Sequence, residues 1–271
     1  MMNKSRKTCR LTTALVGSVL GLAVVSTVRA EDQPVVYTRV AQWQIARQNW
    51  GAYEKDLKKN MVPVMEKLVA DGVILEFGAD RTTVHSPDGY THSSWFCAKS
   101  LANLEKALDT LVESESKLAP EERRKQDTDF AGTKHADLIL RSVQFRNRTI
   151  KTEKGYETVS IQKMQPGKAQ EYQALWDKYT KPVLEQLYKD GAVTAYGVDT
   201  ELVHTGDQGL RFFWQVIPDA EALDKVEAAF DAARQKRSPE ERRAIGQAFA
   251  DLRDPAAHRD SQSNIIYYSA K

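Results

Sequence analysis

The sequence predicts an α+β fold built from two similar tandem units. Three observations predict it: a repeat at a spacing of 119 residues, the same order of strand and helix patterns in both copies, and a first stretch of thirty residues outside the repeat. Aligned without gaps over residues 37–124, the copies share 24 identical residues in 88 positions. Unrelated segments of average composition would share roughly 5 or 6. Each copy is therefore expected to form its own unit with its own core.

The first thirty residues have the layout of a secretory signal peptide. Basic residues precede an uncharged, mostly apolar stretch over 11–28, and Val28 and Ala30 occupy the −3 and −1 positions of a cleavage site. An uncleaved anchor is the alternative, because the stretch is nearly long enough to cross a bilayer. We expect cleavage after Ala30 and an exported protein, periplasmic or secreted. The first unit then covers residues 31–148 and the second unit covers residues 149–271.

Composition restricts the partners of the mature chain. Without the signal, 34 basic and 37 acidic side chains remain, a net charge of −3 with neutral histidines. No large positive field is left for a nucleic acid, and no later segment is apolar for long enough to cross a membrane. Cys97 would be the only cysteine, so a disulfide framework is not expected. A small-molecule ligand and a second copy of the chain, as a further homodimer, remain as partners.

The same local patterns define each unit in order. Alternating residues predict the opening strand, and helical spacing predicts the long helix that follows and ends at Asp-Gly. Pro63 and Pro182 lie inside these helices, so a kink is expected in each. A short polar turn then joins two strands as a hairpin. Predicted strands cover 37–45, 73–85, 92–98, 138–145, 156–164, 192–204, 210–217 and 264–269, predicted helices cover 50–70, 101–118, 168–189 and 220–236 and begin at Pro120 and Pro239, and a polar linker covers 146–155.

This order predicts a four-stranded antiparallel sheet in each unit, with helices on one face, the ferredoxin-like arrangement. The other face needs a partner. Val62-Pro63-Val64 or Lys181-Pro182-Val183, then Asp-Gly, then a hairpin with Trp95 or Trp214, resembles the dimeric α/β-barrel superfamily. Within it, the pattern is most similar to the NIPSNAP-like and antibiotic-monooxygenase-like families. The resemblance implies two sheets facing each other as a barrel, which two tandem units would build within one chain as a pseudo-dimer.

His85 and His204 are the candidate catalytic residues. They hold equivalent positions at the end of the second strand, and imidazole suits proton transfer or metal binding near neutral pH. The alternative is a structural histidine that bonds the hairpin turn. Two His-x-Asp sequences, at 135–137 and 258–260, could place two metal ligands on one strand face, but no third ligand accompanies them. We expect no metal.

Trp95 and Trp214 are candidate ligand-binding residues on the third strand of each unit. An indole in the barrel lumen could stack on an aromatic ligand and donate its N–H. The alternative is core packing against the first helix. Cys97 lies on the same strand face as Trp95 and is interpreted as a small apolar filler.

Four further candidate ligand-binding residues lie on the first strands. Tyr37 and Tyr156 begin these strands, and Arg39 and Trp43 share the face of Tyr37. The second unit has neutral polar residues at the positions of Arg39 and Trp43. If this face lines the lumen, the two units offer different chemistry to a ligand. A solvent-exposed strand face is the alternative.

Common cofactor motifs are missing from the sequence. After the signal there is no GxGxxG, Walker A, GxSxG, CxxC or CxxCH sequence, so we expect no cofactor. The main prediction is an exported protein that binds a small, partly apolar ligand between two sheets. The alternatives are a cofactor-independent monooxygenase-like enzyme and a non-catalytic interaction or stress-related module with a filled lumen.

Overall fold

The computed structural model describes residues 35–84, 89–129, 133–204 and 207–271, all within one compact body. The predicted signal peptide and the candidate catalytic residue His85 lie outside the described residues. Among the helices that are described, none is long and apolar enough to cross a membrane.

Strands and helices follow one another in the predicted order. The strands are β1 (Tyr37–Gln44), β2 (Glu76–Thr82), β3 (His92–Ala98), β4 (Lys134–Asn147), β5 (Ile150–Thr152), β6 (Tyr156–Met164), β7 (Ala195–Glu201), β8 (Leu210–Ile217) and β9 (Arg253–Ala270). The helices are α1 (Trp50–Asp56), α2 (Val62–Ala70), α3 (Leu101–Ser116), α4 (Pro120–Asp129), α5 (Ala169–Tyr179), α6 (Lys181–Lys189), α7 (Ala220–Gln235) and α8 (Pro239–Asp251).

Eight of these strands close into an antiparallel barrel. The strands of the first unit pair in the order β2-β3-β1-β4, and those of the second unit pair in the order β7-β8-β6-β9. β4 then pairs with β7, and β9 pairs with β2, so each sheet edge is covered by an edge of the other sheet. Closure removes the exposed edges that two separate sheets would carry.

The closing strands are longer than the sequence predicted. β4 covers 134–147 rather than 138–145, and β9 covers 253–270 rather than 264–269. β9 uses its first part to pair with β6 and its last part to pair with β2. Part of the expected linker also forms a strand, because β5 pairs with the end of β9. Long-range pairing, which local patterns do not encode, stabilises these additional residues.

The predicted helix kinks and stops are confirmed. A π-helical turn, Leu57–Met61, precedes α2, where Pro63 is the second residue, and α6 begins after a break from α5 with Pro182 as its second residue. Gly72 and Gly191 follow these helices with φ of 71° and 80°. This left-handed conformation suits glycine because a side chain would be strained there.

Two cores lie between the helices and the outer face of the barrel, one in each unit. Tyr37 packs against the first core and Tyr156 against the second. A third cluster fills one end of the barrel interior and includes Trp95, Phe145 and Tyr268. Because neighbouring strand residues point to opposite faces, the residues next to Tyr37 and Tyr156 face the lumen.

Candidate functional site

A cavity of about 280 Å³ occupies the rest of the barrel interior. All eight barrel strands contribute to its wall, and along β1, β4, β6 and β8 alternate residues do so. On the first strand of each unit the lining residues are Thr38, Val40 and Gln42, and Glu157, Val159 and Ile161.

Trp95 and Trp214 both line this cavity. Each indole lies against a glycine on the neighbouring strand. A Cβ atom added to Gly78 would lie 2.2 Å from Cζ2 of Trp95, and one added to Gly197 would lie 2.5 Å from Cζ2 of Trp214. Glycine therefore gives both rings room on the lumen side of the sheet, and the alternative of packing against the first helix is wrong.

Asp199 links one indole to the acidic part of the cavity. Its Oδ2 accepts a 2.8 Å hydrogen bond from Nε1 of Trp214. Burial raises the pKa of Asp199 to about 6. The nearby hydroxyl of Ser142 and the N–H of Trp214 favour the ionised form and so act to lower the pKa. Oδ1 of Asp199 has no hydrogen-bond partner among the described residues.

Glu76 is fully buried at the closed end of the cavity. Its Oε2 accepts hydrogen bonds from the hydroxyl of Tyr268 at 2.7 Å and from Nδ2 of Asn147 at 3.2 Å. Sγ of Cys97 lies 3.5 Å from Oε1 and also contacts Oγ1 of Thr38. Burial raises the pKa of Glu76 to about 7 in spite of these donors. Cys97 is small and buried as predicted, but it also takes part in this polar chain.

Asp80 and Glu157 form a carboxyl pair between the two units. Oδ2 of Asp80 accepts a 2.6 Å hydrogen bond from the hydroxyl of Ser93. Burial raises the pKa of both acids, and the charge of Asp80 raises that of Glu157 further. Two enclosed carboxyl groups that interact in this way do not both ionise easily.

The wall also has an apolar part. It is formed by Phe212, Leu138, Leu140, Val159 and Ile161. The lumen thus combines hydrocarbon surface with a few buried polar groups, which is the usual composition of a small-molecule pocket.

Tyr37 and Tyr156 do not line the cavity, contrary to the sequence-based expectation. Both pack against the cores beneath the helices. The alternation along β1 and β6 was predicted correctly, but the lumen lies on the opposite face. Period alone does not show which face of a strand the helices cover.

Arg39 and Trp43 share the outer face with Tyr37, so the expectation that they line the lumen is also wrong. An NH2 of Arg39 donates to Oδ1 of Asp137 at 2.8 Å. Trp43 stacks on His135 with ring centroids 3.8 Å apart. Both contacts join β1 to the exposed side of β4.

The candidate histidine His204 is exposed at the end of β7 and does not line the cavity. The His-x-Asp pairs do form on single strands, with Nε2 of His135 3.2 Å from Asp137 and Nε2 of His258 3.0 Å from Asp260. Ser160 contacts the same Nε2 of His258, so the ring does not relay between serine and aspartate as in a catalytic triad. The described residues contain no group of three metal ligands.

The buried acids were missed by the sequence analysis. Gly78 and Asp80 recur as Gly197 and Asp199 at the 119-residue spacing. An aspartate conserved between the copies in the middle of a buried strand was the available signal.

No family model matches this chain, and no curated protein matches it. Solved structures do. A candidate monooxygenase from Fusobacterium nucleatum subsp. nucleatum superimposes with a TM-score of 0.58 and 9% identity, over 88% of this chain and 95% of that chain. A candidate monooxygenase from Lactobacillus acidophilus superimposes with a TM-score of 0.57 and 11% identity, over 87% and 96% of the two chains. These likenesses show an α+β fold with an eight-stranded antiparallel barrel of the dimeric α/β-barrel type. The NIPSNAP-like resemblance stays a prediction.

Proposed function

We propose that this protein binds a small, partly apolar molecule inside the barrel. The observation that carries the proposal is the cavity of about 280 Å³ lined by Trp95 and Trp214. A protein interior is normally packed without large voids, so an interior space of this size between repeated indoles needs an explanation. An engineered apolar cavity of roughly 150 Å³ holds benzene, so this lumen suits one ring with a short substituent.

The polar groups of the lumen support the same function. Buried polar atoms normally have partners, and leaving one without a partner costs about 1–3 kcal/mol. Oδ1 of Asp199 is such a buried atom without a hydrogen-bond partner among the described residues. A ligand that supplies a donor at this point would offset the cost and fix its own orientation.

Native mass spectrometry of the purified protein, with its absorbance spectrum, tests the proposal directly. We expect a bound small molecule, or ligand-dependent thermal stabilisation once candidates are added. Val159→Trp fills the lumen and should abolish binding, whereas Val112→Trp on the exposed side of α3 should leave it unchanged. Equal binding by both variants would place the ligand outside the barrel.

A monooxygenase-like enzyme is the second candidate. It is favoured by carboxyl groups inside the cavity whose pKa values lie near neutrality, Glu76 at about 7 and Asp199 at about 6, since such groups can accept or donate a proton in a reaction. Both superimposed structures are of proteins named as candidate monooxygenases. Oxygen uptake with the identified ligand, abolished in Asp199→Asn and in Glu76→Gln, would establish turnover that uses these acids, and uptake unaffected by either change would remove both from any mechanism. The cavity gives no support to a module with a filled lumen.

We also infer that the barrel is an internal pseudo-dimer produced by tandem duplication. The repeat of 24 residues in 88, the matching strand orders and the matching Gly–Trp pairs support it. A native mass of one chain, or of two chains that each form a complete barrel, would agree with this inference, and a barrel that forms only by exchange of strands between two chains would contradict it. Export remains a proposal from the sequence alone. It predicts that the mature protein begins at Glu31 when sequenced from the export compartment.

A further inference from the structure

The buried acids limit the chemical class of the ligand. Glu76, Glu157 and Asp199 line the cavity, and Asp80 lies beside them. The basic side chains among the described lining residues are Arg259 and His92. Arg259 lies on the N-terminal part of β9, and the ring of His92 packs on the outer side against Trp50 and Tyr53.

The two buried acids Glu76 and Asp199 differ in how many hydrogen-bond donors they receive. Glu76 is well supplied, by Tyr268, Asn147 and Cys97. Asp199, in contrast, receives the Trp214 N–H at Oδ2 and nothing at Oδ1, although its side chain is almost completely buried. An ammonium group carries three N–H donors and no acceptor. It would also bring a positive charge to balance the buried acids.

The indoles add a second attraction for a cation. Trp214 is fixed by its hydrogen bond to Asp199 and by contact with Gly197, so its ring orientation is set before a ligand arrives. Tryptophan is the best aromatic partner for a cation, and the interaction strengthens when water is excluded. Phe212, the register partner of Asp199 on β8, provides hydrocarbon surface directly beside this position.

We propose that the lumen binds a small primary amine in its ammonium form, with the ammonium group beside Asp199 and its hydrocarbon part along Phe212 and Leu138. This inference rests on the proposed binding function and gives it a ligand class. In the empty barrel a proton partly neutralises Asp199, and the ammonium group would replace that proton. Binding should therefore release a proton at mildly acidic pH.

The groups that can influence this titration come from several strands. They are Glu76 and Asp80 on β2, Cys97 on β3, Glu157 on β6, Glu201 on β7 itself, and Arg259 and Asp260 on β9. The acids in this set oppose ionisation of Asp199 and all favour an incoming cation. Arg259 acts in the opposite direction.

Isothermal titration of the mature chain with phenethylamine and with 2-phenylethanol tests the proposal. The two probes have nearly the same shape, and only the amine is charged. We expect the amine to bind about tenfold more tightly at pH 7.5. Its affinity should rise about tenfold between pH 5 and 7 as Asp199 ionises, while the alcohol shows no such trend. Titration at pH 5.5 in two buffers of different ionisation enthalpy should reveal proton release for the amine only.

Two variants test whether the amine binds at Asp199. Asp199→Asn should reduce amine affinity about tenfold and change alcohol affinity less than twofold, and exposed Asp251→Asn on α8 should change neither.

Equal affinity for both probes in the unmodified protein would overturn the amine inference while leaving the lumen as a binding site. If neither probe binds but another small molecule does, the amine inference is also overturned. If no small molecule binds and Val159→Trp changes nothing, the proposed function is overturned too. The pH series on the unmodified protein decides the matter even if Asp199→Asn fails to fold.

Discussion

Trp95 and Trp214 occupy equivalent places in the two units, yet their surroundings differ in chemistry. Each indole lies across from a glycine and beside an aromatic ring on the last strand of the other unit. These partners are Gly78 and Tyr268 for Trp95, and Gly197 and Phe145 for Trp214. The glycine, the indole and the neighbouring aromatic ring therefore recur in both units, where close packing demands their shapes.

Some polar groups of the lumen are not repeated, although the Asp80 and Asp199 positions are. In the first unit Glu76 accepts a hydrogen bond from Tyr268, whereas the equivalent residues of the second unit, Ala195 and Phe145, are apolar. Ser93 is likewise replaced by Phe212 in the second unit. The two units therefore share one packing scheme and differ at several positions on the lumen face. The comparison indicates that the two halves of the lumen differ in chemistry at these positions, whereas the aspartate on the second strand is common to both.

Gly78→Ala and Gly197→Ala test the shared packing scheme, and we expect the largest effects here. The new Cβ atoms would lie within 2.6 Å of the indole atoms, so each ring must move. We expect losses of about 2–4 kcal/mol in the free energy of unfolding, measured by urea denaturation. Gly197→Ala should cost more, because its Cβ also meets the backbone oxygen of Gln144 at 2.8 Å, whereas the ring of Trp95 can swing into the cavity.

Gly246→Ala is the control for this pair. Gly246 lies within α8, and nothing lies within 4 Å of its added Cβ. We expect this change to stabilise the protein by up to about 1 kcal/mol, because alanine favours helix. A greater loss from Gly78→Ala than from Gly197→Ala would contradict the account of the two indoles.

A double-mutant cycle on Glu76→Ala and Tyr268→Phe converts the polar pair of the first unit into the apolar pair of the second. Glu76→Ala alone leaves the hydroxyl of Tyr268 and the amide of Asn147 without their acceptor, at a cost of about 2–3 kcal/mol. The double variant should lose about 1–2 kcal/mol less than the sum of the single variants. Tyr267→Phe, whose hydroxyl bonds Glu66 outside the barrel, should show no coupling to Glu76→Ala.

The pH dependence of stability tests Glu76, an acid that only the first unit carries at its position. The pKa of Glu76 is raised by burial from 4.5 to about 7, so the folded state holds this proton more tightly than the unfolded state does. Stability from this group is therefore greatest below pH 4.5 and is lost as pH rises toward 7. Between pH 5.5 and pH 8 we expect a loss of about 2 kcal/mol, with a smaller contribution from Asp199. Glu76→Gln should flatten most of this slope in urea titrations, and an unchanged slope would show that Glu76 is ionised in the folded protein.

The sequence predicted more of the fold than of the site, for a physical reason. Repeat spacing, helix periodicity and Asp-Gly stops are local, and they located the strands, the kinks at Pro63 and Pro182 and the order of elements. Barrel closure depends on pairing between distant strands, so the full length of β4 and β9 was not predictable from local patterns. Assignment of the lumen face depends on where the helices pack, and without it Tyr37 was placed inside and Glu76 was overlooked.

Arg39→Thr and Trp43→Gln test the outer face, where we expect the smallest effects. Thr158 and Gln162 stand at these positions in the second unit, so the two changes make the units alike on this surface. The Arg39–Asp137 ion pair is partly exposed, with 22% and 42% of the side chains accessible, and such pairs contribute about 0–1 kcal/mol. We expect a similarly small change in stability and no change in the affinity of a ligand in the lumen. Affinity is measured by ligand titration, with Trp95→Phe in the cavity wall as the comparison variant. A tenfold loss of affinity in Arg39→Thr would instead show that the outer face takes part in binding. The second unit would then lack a site that the first unit has, and the two units would differ on both faces of their sheets.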